Sequence, residues 1–342
     1  MKTVLVLGLV VLLVIGSAVV ASSQTPEWIV YNTDNSGLPD NEVIALAFDA
    51  QENIWIGTNH GGLVRFNGET WTVYNTDNSG LPSDQVTALL FDEQGVLWVG
   101  TGDGLAKFDG ETWTVYTTEN SGLPFNPIHE LVFDTQGNLW IGTGRFYAYG
   151  GGGLAKFDGK TWAVYTRDNS RLPGNQILAL AVDLQGNLWV GTEFLDAVAK
   201  FDGETWTAYT GDNSDLPYGH VPALIFDAQG NLWVATDFGG LAKFDGESWT
   251  VYNTRNSELP SDNVNSGLVF DGQGNLWIGT EQGLAKFDGE TWMVYNEVNS
   301  GLPHDRVGAL AIDQQGNIWI STPLRGLAVY REGGVILTGV QE

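Results

Sequence analysis

A seven-bladed, all-β propeller is the fold that the sequence predicts, and three observations predict it. First, fourteen tryptophans fall into seven pairs, from Trp28/Trp55 to Trp292/Trp319, spaced 27 residues apart six times and 28 once. Successive pairs are 43, 42, 49, 44, 43 and 43 residues apart, and a period near this length marks a repeat architecture. Second, each period holds four short apolar stretches separated by turn residues, the arithmetic of a four-stranded antiparallel blade. Third, the chain opens on a segment that matches a fourth strand, Trp28–Asn32, with no three strands before it.

The second unit shows the elements in order. Val86–Asp92 is a near-continuous apolar run, expected for an innermost strand covered on both faces. Asp92-Glu93-Gln94-Gly95 is a turn, with Gly95 free to take positive φ. Leu97–Thr101, Gly104–Phe108 and Trp113–Thr117 follow as the second, third and fourth strands. The tryptophan of every second strand lies two positions before a small residue, as Trp98 before Gly100, and is expected in the core. The Asp-x-x-Gly-Asn turns lack the additional carboxylates of a calcium loop and are read as hairpins.

The last unit has three strands of its own, Val307–Asp313, Ile318–Thr322 and Gly326–Tyr330. Trp28–Asn32 is expected to complete it, which would leave no open seam in the ring. Val335–Leu337 is the rival for that slot. The connections into each blade and those between second and third strands should share one face, termed the top.

Met1-Lys2, the apolar run Val4–Ile15 and the small residues through Ala21 have the layout of a secretory signal peptide. The organisation expected is therefore a signal peptide over 1–21, a spacer over 22–27 and the propeller over 28–342. The alternative is an uncleaved N-terminal membrane anchor. Either places the propeller in an extracellular or periplasmic space. With no cysteine, thiolate metal sites and thiol nucleophiles are excluded. A formal charge of −26 argues against nucleic acid and anionic membranes as partners and leaves cationic ligands as a possibility. A monomer without a cofactor is expected.

Function is sought where the repeat is broken. Ten residues separate Thr143 from Leu154 in the third unit, where three separate Thr101 from Leu105 in the second. This insert carries Arg145, Phe146, Tyr147 and Tyr149, side chains often used as binding anchors. The third unit also has His129-Glu130 where the second has Thr87-Ala88. Alternation along a strand would send His129 and Glu130 to opposite faces, so they are not expected to share one metal ion. Glu130 is expected at the mouth of the channel. His60, His129, His220 and His304 fall in four different blades, and no metal site is assigned to them. The ligand-binding candidates are thus Arg145, Phe146, Tyr147, Tyr149, Glu130 and His129; no catalytic residue is assigned.

The unit Ser-Gly-Leu-Pro, Val-x-Ala-Leu-x-Phe-Asp-x-Gln-Gly-Asn-Leu-Trp-Ile-Gly-Thr and Gly-Leu-Ala-Lys-Phe-Asp-Gly resembles the two-component regulator propeller repeat, over residues 28 to about 331. That resemblance implies a non-enzymatic ligand-sensing propeller outside the cytoplasm, in a family that often recognises carbohydrate breakdown products. A sensor-region propeller without kinase output of its own is expected. Its expected partner is a small molecule, an oligosaccharide or another protein. The Gly-Asn-Leu-Trp strand is also similar to that of streptogramin lyases, which implies a secreted lyase as an alternative reading. No His/Glu pair here maps onto the lyase pattern. A structural cell-surface propeller is the third reading.

Overall fold

The computed structural model describes residues 26–144, 151–193 and 197–337. They form seven four-stranded antiparallel sheets, one for each unit of the repeat. The first blade, for example, comprises Val43–Phe48, Ile54–Thr58, Leu63–Phe66 and Trp71–Tyr74, ordered from the channel outward. In the second blade the strands run Val86–Phe91, Leu97–Thr101, Gly104–Phe108 and Trp113–Tyr116. Gly95 takes φ 79° in the hairpin that sequence reading placed there.

Two innermost strands are shorter than their repeats suggest. In the fifth blade the strand begins at Ala223, because Pro222 has no N–H to give to the ladder. In the seventh it is reduced to Leu310–Ile312. There Ser321 replaces the second-strand glycine, and its hydroxyl occupies the space beside Gly308 where a Cβ would sit.

Each blade is held to the next by aromatic rings. Trp98 lies 6.5 Å from Phe133 and 6.3 Å from Phe157, both in the third blade, at steep interplanar angles. Such edge-on pairs place the positive rim of one ring against the negative face of another. Between third and fourth strands a stacked pair recurs, with Phe108 and Trp113 at 4.3 Å. The incoming loops add a plug. Leu38, Leu81, Leu123, Leu172, Leu216, Leu259 and Leu302 are all buried, each the leucine before proline.

The second-strand indole also fixes the hairpin below it. Trp140 Nε1 donates to Asp134 Oδ2 at 3.0 Å. The same carboxylate accepts from Gln136 N, Asn138 N and Asn138 Nδ2, at 3.0, 2.9 and 2.8 Å. Lys156 Nζ lies 3.4 Å from Asp134 Oδ2 and 5.0 Å from the centre of the Trp140 ring. Burial pushes the Asp134 carboxyl up, but the bonds from Asn138, Trp140 and Gln136 outweigh it and hold it below the ordinary value. The carboxylate of this turn is therefore saturated from within the blade.

The ring closes through the N-terminal strand. Trp28–Tyr31 pairs antiparallel with Gly326–Tyr330, in the register Trp28 to Tyr330 and Tyr31 to Leu327. The C-terminal segment takes another place. Val335 N donates to Pro26 O at 3.0 Å, and Asn317 Nδ2 donates to Ile336 O at 2.6 Å. Val335 is buried with residues of the first and seventh blades, so this segment seals the seam without adding a strand.

Two stability outcomes follow from this packing. Trp98→Ala should destabilise the protein by about 3–5 kcal/mol, the cost of truncating a buried large aromatic, as read by denaturant unfolding. Removing residues 22–33 should lower the melting temperature more than removing 334–342, since the first deletion takes a whole strand and the second the Val335 packing and the Asn317–Ile336 bonds. Equal losses would show that the seam depends on the C-terminal segment as much as on the N-terminal strand.

Candidate functional site

The seven innermost strands surround a channel, and its top opens into a cavity of about 1080 Å³. Apolar side chains from several blades form much of the wall, including Ile44, Leu89, Leu178 and Leu310. Glu130 and His129 of the third blade both line it. Simple alternation would have separated these two residues. A β-bulge between Ile128 and Glu130 breaks the alternation, and bulges re-aim side chains in this way. Register shifts occur near the same point in four other blades.

Glu130 stands where other blades have a small residue: Ala45, Ala88, Ala179, Ala223 and Ala309. Its carboxylate accepts a hydrogen bond from Leu131 N at 3.0 Å. Enclosure by the channel wall pushes its pKa from the ordinary 4.5 up to about 7, against the lowering effect of that bond. His129 is shifted the other way. Burial lowers its pKa, with a hydrogen bond to the Gly144 backbone acting in opposition. Since Gly144 opens the ten-residue insert, His129 ties the base of the insert to the innermost strand.

A rim of side chains surrounds the channel mouth. Two positions in each blade build it, the residue before the Val or Ile that opens the inner segment of the repeat and the residue after the second-strand threonine. They are joined by backbone bonds, such as Asn59 N to Glu42 O at 2.9 Å and Asp237 N to His220 O at 3.0 Å. Side chains then connect neighbouring blades. Gln85 Nε2 donates to Asn59 Oδ1 at 2.8 Å, and Arg306 Nε lies 3.0 Å from Glu281 Oε1. In the fourth blade the pair is Gln176 and Glu193, both buried. Burial raises the Asp237 pKa, the largest effect there, while His220 works to lower it.

The rim is interrupted by Pro323 in the seventh blade and, more widely, between the second and third blades. In the second and third blades Gly102, Pro127 and Gly144 occupy rim positions, and here the cavity extends outward toward Ser83, Thr118 and Phe125. The far end of the insert returns to the same place. A Cβ on Gly151 would press on the Phe125 ring, and one on Gly152 would strike Asn175 O. Both glycines have φ near +90°, at 100° and 88°. Arg145, Phe146, Tyr147 and Tyr149 themselves lie outside the described residues.

The histidines are dispersed, each with local partners. His220 Nδ1 is 3.5 Å from Asp237 Oδ2, and His304 Nδ1 accepts from Arg306 N at 2.9 Å. His60 Nδ1 lies 3.5 Å from Asp40 Oδ2 and 4.0 Å from Glu42 Oε2, but this ring is exposed at the surface and does not line the cavity. Among the described residues no group of three His, Asp or Glu side chains is placed to hold a metal ion.

Sequence reading missed the rim. A signal was present, since Glu42, Gln85, Pro127, Gln176, His220, Asn263 and Arg306 vary at one position of the repeat beside a constant Val or Ile. Variation beside constancy separates surface chemistry from scaffold.

Comparison with known proteins agrees with this geometry. The two component regulator propeller profile matches seven times, over residues 37–60, 80–103, 122–145, 171–194, 215–238, 258–282 and 301–323. The chain belongs to the two component regulator propeller family. Each matched segment runs from the incoming loop to just beyond the second strand, so it contains the plug leucine, the core tryptophan and the rim. The extracellular domain of BT3049 from B. thetaiotaomicron, described as a hybrid two component system, superposes with a TM-score of 0.76 at 22% identity, covering 89% of this chain and 41% of that one. The corresponding domain of BT4673 from the same organism gives 0.71 at 18%, with 90% and 40% covered. A streptogramin B lyase gives 0.69 at 12%, with 89% and 97% covered. At these identities the likeness establishes the fold. The chain spans about two fifths of the length of the two component extracellular domains. No curated protein matches the sequence significantly.

Glu130 should make the stability of this family member depend on pH in a definite direction. Its folded pKa of about 7 exceeds the ordinary 4.5, so its contribution is full below about 4.5 and is lost as the pH rises through about 7. Glu130→Ala, which restores the residue of the other blades, should therefore gain in melting temperature over the native chain on going from acid to mildly alkaline buffer. A difference that stays constant across that range would show that Glu130 titrates normally.

Proposed function

We propose that this protein is a non-enzymatic ligand-recognition propeller working outside the cytoplasm, with its site at the channel mouth over the second and third blades. The observation that carries the reading is the coincidence of three departures from the repeat. The rim gap at Gly102, Pro127 and Gly144, the Glu130 substitution in the wall, and the rooted ends of the insert all meet at one cavity. Its volume suits a small molecule or the end of an oligosaccharide. The aromatic and guanidinium groups of the insert, Tyr147, Tyr149, Phe146 and Arg145, are the anchors that this reading assigns from the sequence. Export through the N-terminal segment is part of this proposal. Kinship with extracellular domains of two component systems supports it. Among the described residues no helix is long and apolar enough to cross a membrane.

A lyase would need a histidine base and carboxylates around one enclosed substrate position. His60 has two carboxylates within reach but stands in the open, so its geometry does not favour catalysis.

A thermal-shift screen of oligosaccharides, small amines and divalent cations should find compounds that raise the melting temperature, since ligands of the native state stabilise it. Replacing Gly144–Gly152 by the short loop of the second blade should abolish that shift while leaving the unliganded protein folded, because excising a surface loop changes closure entropy little. A shift that survives both this excision and Glu130→Ala places the site elsewhere.

A further inference from the structure

The charge and polarity of the cavity specify the class of its ligand. The described lining residues include two carboxylates, Glu130 in the wall and Asp103 at the lip, and no lysine or arginine. Several acids elsewhere have a cationic partner. The hairpin aspartates of the first, third, fourth and fifth blades each lie within 4 Å of a lysine or arginine, and Glu281 has Arg306. Glu130 differs, because the bond from Leu131 N is its one hydrogen bond among the described residues. A carboxylate accepts several hydrogen bonds, so the rest of its capacity faces the cavity. Around it Ile44, Leu89 and Leu178 offer hydrocarbon.

We propose that the cavity binds a small organic cation, an ammonium group on an apolar body, with the charge against Glu130 and the hydrocarbon along the channel wall. This inference rests on the cavity proposed above as the site, through Glu130 and the channel wall and not through Arg145 of the insert, and names its ligand class. An ammonium supplies three donors to a carboxylate that has spare acceptor capacity. Within the channel the attraction is screened less than in bulk water. Anions are disfavoured by both carboxylates, and a neutral polyol would leave the Glu130 charge without a counter-ion. The net charge of −26 draws cations toward the protein at long range. His129 does not take the counter-ion role, because its burial favours the neutral ring.

The test is calorimetric titration of the full chain with n-hexylamine, 1-hexanol and hexanoate, at about pH 8, where the amine is charged, and about 0.15 M salt, where surface attraction is screened. Three proteins are compared: the native chain, Glu130→Gln and Ile44→Trp. The other blades carry Thr, His, Leu, Pro, Asn and Gly at the Ile44 position, so a tryptophan there should block the channel without unfolding it. Hexylamine should bind the native chain, bind at least about tenfold more weakly to Glu130→Gln, and fail to bind Ile44→Trp. Hexanol and hexanoate should bind the native chain more weakly than the amine. Glu130→Ala provides the same comparison if the glutamine variant proves unstable. Equal binding of hexylamine and hexanol, or no binding of hexylamine, overturns the ammonium assignment. Loss on Ile44→Trp with indifference to Glu130→Gln overturns the charge pairing and leaves the site standing. Binding that survives both variants overturns the site as well.

Discussion

The structure depends on one unit repeated seven times: a second-strand indole whose N–H enters the carboxylate of the hairpin below it. From Trp55 and Asp49 to Trp319 and Asp313 the separation is 3.0–3.4 Å in every blade. A lysine or arginine of the third strand stands over the ring in the first six blades. This arrangement answers two problems together. It provides a partner for the indole N–H, which would be costly to bury alone, and it supplies donors to a carboxylate taken out of water. With its polar edge satisfied, the ring can spend its faces and remaining edge on the neighbouring blade.

The consequence is a division of labour along each blade. Tryptophan, the hairpin aspartate and the plug leucine make the contacts that determine the shape of the ring, and they recur with little change. The top positions that face the channel mouth make few of those contacts. They carry glutamate, glutamine, proline, histidine, asparagine or arginine in different blades without disturbing the sheets. Binding chemistry can therefore differ around a scaffold that remains the same. The acidity of the protein divides similarly. Asp109, for instance, accepts from Glu111 N, Thr112 N and Thr112 Oγ1, and the Thr112 bonds chiefly bring its pKa down to about 2. Many of the carboxylates are thus turn-forming groups, whereas Glu130 stands in the channel wall with the bond from Leu131 N as its support.

The third blade concentrates departures from the common pattern. A glutamate takes the place of alanine beside a bulge, a histidine reaches the Gly144 backbone, and glycines hold both ends of an insert at the cavity lip. Each of these features alone could be a neutral variation. Together they change one sector of the channel mouth from a closed polar rim to an open, acidic, partly apolar recess. The chemistry of the recess narrows the kind of molecule that it suits.

By itself the sequence determined the number of blades and the strands of each, because these rest on local periodicity and on contacts that repeat; for the closing strand it favoured Trp28–Asn32 over Val335–Leu337, and the pairing of Trp28–Tyr31 with Gly326–Tyr330 decided between them. The sequence also singled out Glu130 and His129, since a charged residue in an apolar strand is visible as a break in a pattern. It could not show that both face the same cavity. That depends on a bulge between Ile128 and Glu130, which follows from pairing with the second strand and reverses the inference from simple alternation. The rim was likewise hidden, because Asn59 and Gln85, or Glu281 and Arg306, come from different blades and meet only when the ring closes. Val335 is a further case: its burial depends on the first and seventh blades coming together above it. Local pattern specifies strands and turns, whereas convergence of side chains from distant blades is a property of the closed ring, and that part only the tertiary structure decided.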